Sequence, residues 1–432
     1  MIPGVPAPEI LRDPCNILLF LLQNLPEATM TRLIIGSAHR VIPSRQLSGY
    51  IYVVDVEQQV VLKKTEGIDP PFREHDNNPR GGMRGMRGIA VREGKIGLSN
   101  YSGVFCFDRH WNLTQTFSHP ICSSIHEVLF DEEGALIAST GTDTLVHLDG
   151  EGKLISAWFV HDDRRIARQA GIRKAPMTGG EMLARGIDFR DRRLTHSQEH
   201  DKTHLNSLDR CPNGDLLISL GLVVDAQFST LTRLKAFLIR FGIWDWFLKA
   251  NRGIRALLGL KKHKLSELVV QPSRSRSAVL RMSPDGKTRL VLLLENMSNP
   301  SHSVRALEDN TAIYLDTSNG VVIHFDAGTG MILHKTEVTD QFLRGAVRLP
   351  DGKFALGAGN EVLVYDPVLH QVTSRIRFSD NPLESVHGLN ILPPDFDLPP
   401  DSLQAQCGKI IGFNGQEILW DRTVHAYSDP HS

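Results

Sequence analysis

Six times along the chain a His or Arg stands immediately before a short apolar segment: Arg87 (RGIAV), His126 (HEVLF), His204 (HLNSL), His302 (HSVRAL), Arg344 (RGAVRL) and His387 (HGLNIL). In five of them a sharp turn follows at nearly the same offset, at Glu93-Gly94, Glu133-Gly134, Asn213-Gly214, Asp309-Asn310 and Asp351-Gly352. A strand that always opens on the same polar residue type is the mark of a radial repeat that aims each copy at a common axis. Four imidazoles and two guanidinium groups are then expected to converge.

Strand-length segments follow each marked residue in fours. Gly88 to Val91, Lys95 to Ser99, Val104 to Phe107 and Leu113 to Phe117 alternate with Gly, Asn and Asp turns. HEVLF, ALIAS, TLVHLD and LISAWFV repeat the order, as do the segments that start at His302 and at Arg344. The expected fold is all-β, a six-bladed β-propeller with seven blades as the alternative. Residues 1–30 read as an N-terminal extension and 31–432 as a single propeller closed by both termini.

The marked residues are separated by 39, 78, 98, 42 and 43 positions, so two intervals carry inserted sequence. One insertion, about 162–203, is Arg-rich and without strand alternation; the other, about 222–277, splits the third blade between LLISL and SAVLRM. Both are expected as caps on the rim where the ring lies, with His200 or Asp201 approaching the ring from above. TRLIIGS, GYIYVVDV and QVVLKK near the N-terminus read as three outer strands able to complete the blade opened by His387. GKIIGF and QEILWD near the C-terminus echo GKFALG and NEVLVYD, and offer the competing closure.

Composition narrows the function classes. With 48 basic and 49 acidic residues the net charge is −1, which argues against a nucleic-acid-binding surface and for a small-molecule partner. Five cysteines without a CxxC spacing suggest neither a disulfide framework nor a thiolate zinc site. The N-terminus lacks a basic n-region, and the apolar run Ile17 to Leu22 is shorter than a signal core or a membrane span, so a cytoplasmic location is expected. There is no Walker loop, GxSxG elbow or HExxH.

Numbered in chain order, the blades make the ring two-sided. His126, His204 and His302 are neighbours, and His387 lies between Arg344 and Arg87. Neutral imidazoles are the commonest metal ligands, so His126, His204, His302 and His387 are candidate ligands for a divalent metal, Zn or Fe. Guanidinium groups grip carboxylate, sulfate or phosphate, so Arg87 and Arg344 suit an anionic or amphipathic small molecule. Without a metal the same groups support a His nucleophile with Arg stabilising an oxyanion. A polar channel lining that only binds a ligand or serves a scaffold is the third reading.

From Arg87 to Pro393 the chain resembles propellers of the NHL and arylsulfotransferase kind. HLNSLDRCPNGDLLIS, from His204, is similar to the His-x-Asn-Ser segment of bacterial arylsulfotransferases. HSVRALEDNTAIYLDTSNGVVIHFD, from His302, resembles inner-strand His segments of arylsulfotransferases and of zinc-dependent amidoglycolate lyases. The resemblance implies axial, catalytic roles for His204, Asn206 and His302. Arylsulfotransferases carry an Arg after that strand, whereas Ile218-Ser219-Leu220-Gly221 has none, so sulfuryl transfer here would draw its charge from Arg87 or Arg344.

The second insertion is basic, with eleven Lys or Arg and three acidic residues between Leu222 and Ser277. Leu231, Leu234, Leu238 and Phe241 fall at helical spacing with Arg233, Lys235 and Arg240 off that stripe. The reading is an amphipathic helix pair over 231–264, a candidate for peripheral membrane contact or for roofing a substrate passage.

Overall fold

The structure is a computed structural model that describes residues 30–39, 49–70, 86–172, 175–191, 200–224, 275–403, 409–411 and 417–419. Four consecutive antiparallel strands form each of five blades. They are β4 (Ile89–Arg92) to β7 (Leu113–Phe117), β8 (Ile125–Phe130) to β11 (Leu154–Phe159), β12 (Leu205–Arg210) to β15 (Thr288–Glu295), β16 (His302–Ala306) to β19 (Ile332–Glu337), and β20 (Leu343–Arg348) to β23 (Gln371–Arg377).

The sixth blade is shared by the two ends of the chain. Its inner strand β24 (Glu384–Leu392) pairs with β1 (Arg32–His39), followed outward by β2 (Tyr50–Asp55) and β3 (Val60–Glu66). The guanidinium of Arg32 reinforces the seam by donating to the carbonyls of Pro393, Pro394 and Phe396 at 2.7, 2.8 and 2.9 Å. Seven blades are thereby ruled out among the described residues. The C-terminal strands β25 (Lys409–Ile411) and β26 (Glu417–Leu419) pair only with each other. Their echo of the preceding unit fails as a closure because β1 already occupies the free edge of β24.

Apolar alternation along each strand buries side chains between neighbouring blades. Six hydrophobic clusters result, one at each blade junction, from Ile34, Val53 and Phe105 between the last and first blades to Leu315, Phe354 and Tyr365 between the fourth and fifth. Each fully buried large apolar side chain contributes about 1.5–3 kcal/mol. Closure therefore matters energetically, because an open ring would leave one such junction in water.

The first insertion holds two short helices. The Asp163 carboxylate caps α1 (Arg164–Ala170) by accepting from Arg165 N and Ile166 N, and Gly171 ends it at φ 74°. Ile166 is buried in the cluster between the second and third blades. A Thr178–Glu181 capping box starts α2 (Gly179–Ala184). The insertion returns along the ring face: Phe189 N donates to Pro120 O at 2.8 Å, and Thr203 N to Asp143 at 2.7 Å in the β9–β10 turn, where β9 is Gly134–Ser139 and β10 Thr144–Asp149.

The second insertion is shorter than expected. The third blade's second strand β13 runs from Leu216 to Val224 and its third strand β14 from Ser275 to Met282, with Val224 opposite Ser275. The helix pair over 231–264 and the extension 1–29 lie outside the described residues. No helix among the described residues is long and apolar enough to cross a membrane.

Candidate axial site

The six marked residues do not sit at one equivalent level. A β-bulge interrupts the inner ladder of five blades beside them. His126 is the extra residue between Ile125 and Glu127, and His387 the extra residue between Val386 and Gly388. In the third and fourth blades the extra residues are Asn206 and Ser303, so His204 and His302 enter the ring from one or two positions earlier. Left-handed backbone makes up the difference, with φ 53° at His204 itself and 60° at Ser303. Non-glycine residues adopt that region at a cost and cluster at functional sites.

A bulge also changes which residues share a face. Consecutive strand residues point to opposite sides, but an extra residue lets two neighbours point the same way. His126 and Glu127 accordingly line one cavity, together with Asn206, His302, Arg305, Arg344 and His387. The cavity mouth is open to solvent, and the enclosed space has room for about one water molecule. Glycine makes the close approach of the inner strands feasible: a Cβ on Gly388 would lie 1.6 Å from the Arg87 carbonyl oxygen.

One ring nitrogen from each of His126, His204 and His302 lies within 4.8 Å of the others. The ring centroids are 4.9 Å apart for His126–His204, 6.1 Å for His126–His302 and 5.9 Å for His204–His302. His126 and His302 are buried, and the His204 side chain is 21% exposed. His387 is buried and lines the same cavity but falls outside this group of three. Arg87 and Arg344 are buried. The Arg87 guanidinium donates to Ser124 Oγ at 2.6 Å and comes within 3.4 Å of His126 Nδ1.

Hydrogen bonding assigns the tautomers of two of the rings. His126 Nδ1 lies 2.7 Å from the Ser124 carbonyl oxygen, which only accepts, so Nδ1 carries the proton. Thr140 Oγ1 agrees: it donates to Leu205 O and faces Nδ1 at 2.8 Å as an acceptor. Thr317 repeats the relay in the fourth blade, donating to Leu343 O at 2.8 Å and receiving His302 Nδ1 at 3.0 Å. In both rings Nε2 is the lone-pair nitrogen. His204 Nδ1 lies 3.0 Å from Asp201 Oδ2.

Burial, then the charges of Arg87 and Arg344, then the rings of His204 and His302 hold His126 well below the usual histidine range. A ring kept neutral keeps its lone pair, which a ligand or base requires. Asn206 is spent on structure: Nδ2 donates to Ser301 O at 2.6 Å, and Oδ1 accepts from Ser219 Oγ at 2.9 Å.

Glu127 and Arg305 are site residues that the repeat pattern does not mark. They form a buried ion pair at 3.0 Å, and Arg305 also donates to the carbonyls of Ala346 at 2.7 Å and Val304 at 2.8 Å. Burial raises the Glu127 carboxyl above its ordinary value in spite of the Arg305 charge that opposes it. A Glu or an Arg two or three positions into an inner strand was the available signal; without the bulge its side is ambiguous.

No protein-family model matches the chain, and no curated protein matches it. Several solved structures are similar. A nidogen/laminin complex shares 8% identity over 84% of this chain and 98% of the other, with TM-score 0.46. Virginiamycin B lyase from Staphylococcus aureus shares 10% over 68% and 69%, with TM-score 0.37. A putative gluconolactonase shares 12% over 68% and 77%, with TM-score 0.38. The propeller itself rests on the chain's own strand pairing.

Proposed function

We propose that this propeller is a metal-dependent enzyme, of lyase, hydrolase or oxygenase type, acting at its axis on a small anionic or amphipathic molecule. The observation that carries the reading is the meeting of His126, His204 and His302 within 4.8 Å in a largely buried setting. The donor set fits a divalent zinc or iron: three imidazoles, two of them with Nδ1–H donated to fixed acceptors and Nε2 left as the lone-pair nitrogen.

When bound, such an ion supplies Lewis acidity toward a carbonyl or acidifies a water molecule. The chain's own residues do the rest. Arg87 and Arg344 place positive charge beside the imidazoles and suit an anionic substrate group. Glu127, with its carboxyl raised by burial, stands on the same cavity as a proton acceptor or donor.

Elemental analysis of the purified chain tests this. About one zinc or iron per chain, lost in His126→Ala and in His302→Ala, is the expected result. Metal-free protein that also fails to take up added Zn²⁺ or Fe²⁺ overturns the proposal.

A further inference from the structure

We infer that Asp201, delivered by the first insertion, is the positioning residue that makes His204 a competent third ligand of the axial trio; this rests on the metal reading above. The three rings are held differently. The Nδ1 partners of His126 and His302 belong to the propeller itself: the Ser124 carbonyl, and hydroxyls at the ends of second strands in Thr140 and Thr317. For His204 the partner is a carboxylate that precedes the blade, Asp201 Oδ2 at 3.0 Å. A carboxylate accepts from Nδ1–H, so Nε2 keeps the lone pair, the same tautomer the other two rings adopt.

The position of Asp201 is firmly set. Its other oxygen accepts the His204 backbone N–H at 3.0 Å, holding the left-handed turn at His204. The flanking chain is fastened to Asp143 in the β9–β10 turn of the second blade, which accepts from Lys202 N, from Thr203 N and Oγ1 at 2.7 and 2.8 Å, and from Leu205 N at 3.3 Å. The end of the insertion is thus tied to the blade that carries His126, and it brings the carboxylate to the ring of the next blade. His126 and His302 are oriented by propeller residues; the third ring is oriented by a residue of the insertion.

Asp201→Asn separates a positioning role from a structural one. Asparagine keeps Oδ1 for the backbone N–H, so the turn survives, but it offers an amide donor to Nδ1 and favours the opposite tautomer. Two readouts on the full chain decide: the 15N shifts of His204, identified by their absence in His204→Gln, and titration with Co²⁺. The wild type should show Nδ1 protonated. Asp201→Asn should move the proton to Nε2 and weaken Co²⁺ binding about 10- to 100-fold, with Asp201→Glu restoring part of the affinity. An unchanged tautomer, or a reversed tautomer with unchanged Co²⁺ affinity, overturns the inference. Co²⁺ binding that is indifferent to His126→Ala and His302→Ala overturns the metal reading instead, and the 15N shifts then decide the Asp201–His204 relationship alone.

Discussion

Glu127 and Arg305 are 178 positions apart in the chain, yet their carboxylate and guanidinium meet at 3.0 Å on the axis, with Ser207 Oγ 3.2 Å from the guanidinium and 3.3 Å from the carboxylate. The pair joins the second blade to the fourth across the third. Neither side chain is more than 15% exposed. Arg305→Met strands a buried carboxylate and should cost about 3–5 kcal/mol, whereas Glu127→Leu combined with Arg305→Met should cost clearly less than Arg305→Met alone. Urea unfolding of the two variants checks the order; a double variant less stable than Arg305→Met would contradict it.

His126 links stability to pH. In the unfolded chain it titrates near the ordinary histidine value of about 6.5, while in the folded protein it resists protonation until well below that. Its contribution is fully present above about pH 6.5 and is lost as pH falls, because the unfolded state then binds the extra proton. The expected slope reaches about 1.4 kcal/mol per pH unit, and His126→Gln should flatten it. Unfolding free energies of the metal-free chain between about pH 5 and pH 7 measure both.

The closing blade has its own buried clasp. Glu384 is 1% exposed and accepts from Ser37 Oγ, Tyr52 OH at 2.9 Å and Ser379 Oγ at 2.7 Å, with His39 Nε2 at 3.1 Å. Glu384→Leu leaves these donors without an acceptor and should destabilise by about 2–4 kcal/mol. Tyr52→Phe removes one of several bonds and should cost about 1 kcal/mol. Denaturant midpoints of the two variants give the comparison.

Gly388 admits no side chain, since the Cβ of an alanine would lie 1.6 Å from the Arg87 carbonyl oxygen. Gly388→Ala must force the last and first inner strands apart, a backbone clash in a packed interior that should cost more than about 3 kcal/mol. Gly94→Ala serves as the control: its Cβ meets nothing within 4 Å, so only the strain of φ +71° remains. Melting temperatures of the two should differ accordingly.

Asn206 distinguishes a scaffold residue from a reacting one. Both ends of its amide are engaged within the protein, so Asn206→Ala should lower stability by about 1–3 kcal/mol and leave Co²⁺ affinity within about twofold of the wild type. A large loss of metal affinity in a normally folded Asn206→Ala protein would place it in the site's chemistry.

Much of this architecture was legible in the residue order. The strands at Lys95–Ser99, Val104–Phe107 and Leu113–Phe117 fall where period-two alternation and Gly or Asp turns put them, because those signals are local. That six strand openings converge also follows from the repeat. Partner choice at the closure did not: β1 and the C-terminal segments both offered neighbours for β24, and only hydrogen-bond pairing across 356 positions of chain separates Ile34–Asn390 from the alternatives.

What tertiary structure alone decided is the chemistry at the axis. Alternation sends Glu127 to the opposite face from His126, and only a bulge, defined by the partner strand, brings both to one cavity. The order of residues named the imidazoles; which nitrogen of His126 and of His302 holds a proton depends on Ser124, Thr140 and Thr317, and the role inferred for Asp201 extends this to His204. Side-chain identity is written in the chain, whereas orientation and protonation are set by partners that only folding brings within reach.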